Sequence, residues 1–367
     1  MLTWGVGIAF NDRFLWSQWL WWIPTAPAAI AAVVALIGSR LLDRHAARTL
    51  RRLALGATAL VLVALATEAR PHGLLLGSTP DPNAPTISVA YWNLSWAEPA
   101  PAARAIAEGR LDADVLVIAN PRPGRTELAN VIADRYAAPP PADPLAADTG
   151  PSFIARVNFT TIASRYPIRA HGRAALTGFK TSWSKARLSN AEAGVIFVEL
   201  DHPGAGTVTL WIVDLPSDPM VSRPALTARM ASDIANWNRR VTRSDGIGRW
   251  RTQPDETRIA FPTPDIIVGD FNTPRGSHSL RALIGQAIDA HAAVGTGFAH
   301  TWPRPIPLWA IDLAFVHVRT ATPIAFDAID TGHSFHHAIR VTAALNIAPN
   351  VTPEQTSGPP TASPPDP

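Results

Sequence analysis

The chain has 367 residues, 47% of them apolar, a formal charge of +3 and no cysteine. These values exclude disulfides, thiolate zinc sites and a cysteine nucleophile, and they allow one large core with appendages. The basic side chains are almost all arginine, and a net charge this small does not outline a nucleic-acid footprint.

The apolar excess lies at the front. Residues 14–39 contain no charged side chain, open with Trp16, Trp19, Trp21 and Trp22, and continue through Ile23 to Ile37. A bilayer core of about 30 Å takes about 20 apolar helical residues, and clustered tryptophans suit a membrane–water interface. Pro24 and Pro27 fall near the tryptophan-rich end, where a kink is tolerated. A basic stretch follows, with Arg40, Arg44, Arg48, Arg51 and Arg52, and then Leu53–Thr67 is again uncharged. The pattern predicts a two-helix transmembrane hairpin over about 14–39 and 51–68, within an anchor of residues 1–70. Arg52 and Glu68 would snorkel, the arginine loop would be cytoplasmic, and everything beyond residue 70 would be extracytoplasmic. A cleavable signal peptide does not fit, because the basic leader is missing. A buried core hairpin is the competing reading.

Residues 71–85, rich in Pro, Gly and Asp, read as a linker, and 346–367, rich in Pro, Ser and Thr, read as a disordered tail. Between them, 86–345 alternates strand-like and helix-like segments. Strands are predicted over 87–91, 115–118, 160–163, 194–200, 208–213, 266–268 and 311–318, and helices over 100–108, 125–134, 223–240 and 279–284. Thr126 is the predicted cap of the second helix. This alternation, with hairpins interspersed, describes a layered α/β fold and not an all-parallel sheet.

Asp265-Ile-Ile-Val-Gly-Asp270-Phe-Asn272-Thr-Pro274 concentrates the chemistry. An apolar strand runs into Asp270 and Asn272, so an acid and an amide emerge together at its end. Such a carboxylate can orient or deprotonate water, and such an amide can donate to a phosphate oxygen. A plain strand-ending turn uses the same residue types.

Other segments accompany it in order: Ile87-Ser-Val-Ala-Tyr-Trp-Asn93, Asp114-Val-Leu-Val-Ile-Ala-Asn120, Ser164-Arg-Tyr-Pro-Ile168, Thr301-Trp-Pro303 with Ile311-Asp312-Leu313, and Ser334-Phe-His336-His337. Over about 86–345 this order resembles the endonuclease/exonuclease/phosphatase superfamily, whose members include DNase I, inositol-phosphate phosphatases and neutral sphingomyelinases. The resemblance implies a four-layer α/β sandwich of the DNase I-like kind. It implies catalytic roles for Asn93, Asp270, Asn272, Asp312 and His336, with Asn93 and Asn272 also binding substrate and Asp312 paired to His336. His333 and His337 receive no role.

Three positions depart from that pattern. Asn120 stands where the resemblance implies a metal-binding Glu, Phe335 where it implies an Asp, and Asp214 where it implies a His. Magnesium or manganese prefers carboxylate and water oxygens, so the expected metal site is degenerate: Asn120, Asp270 and Asp214 are the candidate metal residues, with a site shifted to Asp270, Asn272 and His336, joined by Asp214, as one account. The function implied is phosphodiester or phosphomonoester hydrolysis; the alternative is a membrane-tethered binding protein that has lost turnover. No Gly-x-Ser-x-Gly elbow supports a serine hydrolase. Expected partners are the lipid bilayer and a phosphate ester, either nucleic acid or a lipid headgroup. Arg122, Arg125, Arg165, Arg173 and Arg187 are the candidates for a nucleic-acid groove. Oligomeric state is not legible in the sequence.

Overall fold

The computed structural model describes residues 2–39, 44–70, 83–122, 126–136, 153–176, 193–237, 242–244, 250–252 and 260–346. Most of the predicted linker and tail, with Arg125 and Arg187, lies outside them. The front of the chain forms α1 (Leu2–Phe10), α2 (Leu15–Trp21), α3 (Thr25–Gly38) and α4 (Arg44–Ala69). Then follow β1 (Thr86–Asn93), α5 (Pro99–Ala107), β2 (Val115–Ala119), α6 (Thr126–Tyr136), β3 (Ile154–Val157), β4 (Thr160–Ser164), β5 (Ile168–Ala175), β6 (Gly194–His202) and β7 (Gly206–Asp214). The rest comprises α7 (Arg223–Ala235), β8 (Thr242–Ser244), β9 (Trp250–Thr252), β10 (Ile266–Asp270), α8 (Arg281–Ile284), β11 (Ile288–Asp289), α9 (Ala290–Val294), β12 (Asp312–Val316), β13 (Ala321–Ile329) and β14 (Ala338–Leu345).

Two sheets stack face to face. One has the order β13-β14-β1-β2-β4-β3, the other β11-β12-β10-β7-β6-β5-β8-β9. Strand side chains alternate between faces, and here both faces are covered, which is why the strands read as continuous apolar runs. Ile87, Val89 and Tyr91 of β1 point between the sheets, against Leu210 and Ile212 of β7 and Ile266 and Val268 of β10. Ala90 and Trp92 point the other way, under α5 and α6. The outer face of the second sheet is covered by Leu226 and Met230 of α7 with Leu283 of α8. The layers are therefore helix, sheet, sheet, helix.

Sequence patterning missed β13 and β14. Pro323 breaks the expected rhythm of β13, and the register against β14 shifts at that point. Helix α6 begins at Thr126 itself, so this residue is its first helical position rather than an established cap.

The front departs further from expectation. The first predicted span is not one helix: α2 and α3 meet at an angle of 68°, and only as a bent pair do they match a membrane span. In α4, Arg51–Ala69 is by itself long and apolar enough to cross a membrane. Helices α3 and α4 pack through Ala28, Val61, Ala64 and Leu65, leaving Ile30, Val33, Val34, Ile37, Leu53, Leu55, Leu62 and Val63 exposed. The tryptophans do not act together as an interfacial belt. Trp16 and Trp19 are exposed, whereas the Trp21 indole donates to Ser277 Oγ at 2.8 Å and the Trp22 carbonyl accepts from Trp309 Nε1 at 2.9 Å. The buried Asp12 carboxylate accepts from the backbone N–H of Ser279 at 3.0 Å and from its hydroxyl. Helices α1 and α2 are thus docked on the sandwich by polar side chains, which a free membrane anchor does not need.

Candidate functional site

The alternation that builds the inter-sheet core runs on to the edge of the sandwich, and there it turns polar. On β7 the inward residues are Val208, Leu210 and Ile212, and the next is Asp214. On β10, Ile266 and Val268 lead to Asp270; on β12, Val316 and Ala314 lead to Asp312. Register aligns the three: Asp270 is the Cα partner of Asp214 in the parallel pair and of Asp312 in the antiparallel pair. Three carboxylates therefore stand side by side on adjacent strands, an arrangement that is repulsive unless answered by donors or positive charge.

Gly269 makes the row possible. A Cβ at that position would sit 2.0 Å from the Val213 carbonyl oxygen, so only glycine lets β10 approach β7 this closely. Asn272 and Asn120 follow strands at positive φ, +45° and +51°, where asparagine is among the few tolerated residues. Asn120 thus satisfies the backbone whatever else it does.

The first sheet supplies the answering groups. Asn93, at the end of β1, donates from Nδ2 to Asp270 Oδ2 at 2.9 Å. The other Asp270 oxygen accepts from the Asn272 N–H at 2.8 Å. Asn120 Nδ2 donates to Asp214 Oδ2 at 3.1 Å and to Asn93 Oδ1 at 3.3 Å. His336 Nδ1 lies 2.9 Å from Asp312 Oδ2 and 3.9 Å from Asp270 Oδ2. The ring is positioned by its own loop: Ser334 Oγ donates to the Asn93 carbonyl at 2.6 Å and accepts from the His336 N–H at 3.0 Å. Thr301 Oγ1 accepts from the N–H groups of Ile311 and Asp312, at 3.2 and 3.1 Å, fixing the start of β12.

Burial dominates the titration of this cluster. It raises Asp270 to about 8, helped by Asp312 and then Asp214, against the opposing pull of His336. It raises Asp214 to about 7, against the Asn120 hydrogen bond and His336. Burial alone would lower His336, but Asp312, Asp270 and Asp214 together overcome it and lift the imidazolium to about 9. Tyr91, two residues before Asn93, is held as a neutral phenol by burial and then by all three carboxylates.

Ligand atoms of Asp270, Asp312 and His336 lie within 4.8 Å of one another, a buried group able to hold a metal ion. The charge balance fits a divalent cation. Three carboxylates face one imidazolium, and Asp312 Oδ1 is buried with no hydrogen-bond partner among the described residues. Because His336 Nδ1 already pairs with Asp312, the hard oxygens best suited to a cation are those of Asp270 and Asp214.

Asp214 and Asp270 lie on the floor of a cavity of about 580 Å³, lined also by Trp22, Ser95, Trp96, Leu215, Asp218, Trp302 and Trp309. Asn93, Asn120, Asp214, Asp270, Asn272 and His336 all line it, and Asp312 stands behind His336. Asn272 gives one of its two Nδ2 hydrogens to the Leu215 carbonyl at 2.8 Å, which braces the amide in the cavity wall. Asp214 stands on the strand next to Asp270, in register. Phe335 is 63% exposed and does not line the cavity.

Of the candidate nucleic-acid arginines, the three described do not line the cavity. Arg122 pairs with Glu98, Arg165 bonds Asp112 at 2.6 Å beside the start of β2, and Arg173 donates to the Ala193 carbonyl at 2.9 Å. The Ser164 motif is a turn, its hydroxyl accepting from the Tyr166 N–H at 2.9 Å. Sequence reasoning missed Tyr91, Trp96, Trp302 and Trp309 as members or neighbours of the site, and assigned Trp22 to lipid. Two motifs touched them: Ile87-Ser-Val-Ala-Tyr-Trp-Asn93 contains Tyr91, and Thr301-Trp302-Pro303 contains Trp302.

The chain matches no family model and no curated protein. Among solved structures it is similar to the catalytic domain of human Nocturnin with bound sulfate, at 12% identity and a TM-score of 0.46 over 74% of this chain and 97% of that one. It is also similar to D. rerio TDP2 complexed with single-strand DNA product, at 14% identity and a TM-score of 0.43 over 70% and 98%. The third is an endonuclease/exonuclease/phosphatase from Beutenbergia cavernae, at 14% and 0.43 over 71% and 72%.

Proposed function

We propose that this protein is a phosphoesterase that hydrolyses a phosphodiester or phosphomonoester at the Asp270–His336 site. The observation that carries the proposal is the row Asp214–Asp270–Asp312, in which Asp270 and Asp312 are buried, capped by the 2.9 Å Asp312–His336 pair at the floor of the cavity. Asp270, held by Asn93 and by the Asn272 N–H, orients a water and takes its proton as the oxygen attacks phosphorus. His336 commits Nδ1 to Asp312, which leaves Nε2–H to face the phosphoryl oxygens. With its pKa raised to about 9, the ring stays cationic through neutral pH and stabilises the charge that develops there. A magnesium or manganese ion held by Asp270 and Asp214 would neutralise the row, so that both ionise at neutral pH, and polarise a phosphoryl oxygen.

The test is hydrolysis of bis(p-nitrophenyl) phosphate by the full chain in detergent, titrated with Mg²⁺ and Mn²⁺, beside Asp270→Ala. Metal-dependent turnover lost in the variant supports the enzyme. A specific observation favours a second reading, that of a binding protein: the amide of Asn120 is already bonded to Asp214 and Asn93, and no carboxylate stands at that position. No turnover by folded protein, with ligand binding retained in Asp270→Ala, would establish that reading instead.

We also propose that α3 and α4 anchor the chain in a bilayer with the sandwich on the extracytoplasmic side. The exposed aliphatic faces of both helices support it. Protease protection of the basic stretch at residues 48–52 in sealed right-side-out vesicles tests it; cleavage there from outside would refute this orientation.

A further inference from the structure

The cavity has walls unlike those of a groove for nucleic acid. Among its described lining residues none is Arg or Lys, and the charged ones are Asp214, Asp218, Asp270 and His336. A polyanion needs Lys or Arg along its backbone path. The remaining wall is largely apolar: Trp22, Trp96, Trp302, Trp309, Leu215 and Ile311.

One part of that wall comes from the front of the chain. Trp22 is fixed through its carbonyl to Trp309. Gln18, one turn earlier, donates to the carbonyls of Pro219 and Val221, each at 3.1 Å, and accepts from the Arg223 N–H at 2.9 Å. It thereby holds the 216–221 loop that lines the cavity. The Arg223 guanidinium, 5.1 Å from the Trp22 ring centre, donates to the carbonyls of Pro216 and Asp218 and so serves the wall, not the ligand.

The foot of the α3–α4 hairpin is fixed at the same place. Thr25, the first residue of α3, donates to Glu68 near the end of α4. Glu68 in turn lies 3.5 Å from His300, and the Ala69 carbonyl accepts from the Gly297 N–H at 2.8 Å. Both ends of the apolar hairpin thus meet the loop 297–309, which carries Trp302 and Trp309 into the cavity and leaves Phe298, Trp302 and Ile306 exposed. Exposed Phe10, Phe14, Trp16 and Trp19 lie on α1, α2 and the link between them. A bilayer around the hairpin would bring its headgroup layer to the cavity rim.

From these contacts we infer that the substrate is an amphiphile, a single phosphoester headgroup on an apolar body, taken at the membrane surface against Trp22, Trp302 and Trp309. This rests on the phosphoesterase reading above. The headgroup phosphate reaches Asp270 and His336, and the apolar body stays on the tryptophan wall.

The test compares two phosphodiesters of equal charge, dihexanoyl phosphatidylglycerol and thymidylyl-thymidine, on the full chain in detergent. The lipid should be cleaved with at least about tenfold higher kcat/KM, the size of one or two aromatic contacts. Trp302→Ala should raise the KM for the lipid about fivefold with a smaller effect on the dinucleotide. Equal or better cleavage of the dinucleotide, or an equal loss on both in Trp302→Ala, overturns the inference. Fluorescence titration of the Asp270→Ala chain with both compounds separates the two proposals. Lipid preference in binding without turnover by the parent chain sustains the substrate class and rejects the enzyme, and turnover of both esters without preference does the reverse.

Discussion

Replacing Asp214 by Asn removes one of three adjacent carboxylates and keeps its shape, including an oxygen to accept from Asn120. Burial first, and Asp312 among the charges, raises Asp214 from an ordinary 3.8 to about 7. The folded protein then keeps a proton that the unfolded chain releases from pH 3.8 upward. Stability therefore falls as pH rises through that window, and the whole penalty is present above pH 7. A difference of this size is worth about 4 kcal/mol at most. Asp214 lines the cavity and keeps part of its solvation, so roughly 2 kcal/mol is the expected value. In EDTA at about pH 8, Asp214→Asn should melt about 5 °C above the parent chain, and the gain should vanish near pH 4. Manganese should stabilise the parent more than the variant, because the cation answers the same repulsion. The assay is thermal unfolding of the full chain in detergent, followed by intrinsic fluorescence. A variant less stable than the parent in EDTA at about pH 8, or a gain equal at both pH values, would refute the electrostatic account of the row.

Gly269→Ala should cost about 3 kcal/mol, read as a lower urea midpoint, because its methyl meets the β7 backbone rather than a side chain that can rotate away. Thr301→Val strips the shared acceptor from two buried N–H groups and should cost about 2 kcal/mol; Thr301→Ser should restore both stability and rate. The buried His291 has the opposite pH signature to Asp214. Burial, then Arg275, lowers its pKa to about 4, so its contribution is present above the unfolded pKa near 6.5 and is lost as pH falls toward 4. Comparing His291→Gln with the parent at about pH 7 and pH 4.5 should show the difference shrinking by roughly 2 kcal/mol at the lower pH; a constant difference would count against it.

What the sequence determined was local. The apolar runs of β1, β7 and β10 mark core strands and show that each ends in Asn93, Asp214 or Asp270; that these three share the inward face follows from the structure. Gly269 and Asn272 could be located because their backbone demands are carried by residue type. Register was invisible. Asp214 and Asp270 are 56 positions apart, and only the parallel pairing of β7 with β10 makes them neighbours. The aim of Phe335 depends on how its loop is tied through Ser334 to β1. The tryptophan cluster was ambiguous because a Trp-rich apolar run has one composition whether it meets lipid or protein. The side chains of Asp12 and Gln18, with partners more than 200 residues away, decided that α1 and α2 dock on the sandwich and that Trp22 closes the cavity. Periodicity reports which face of an element is buried; it carries no information about the distant groups that bury it, and the site is made of those.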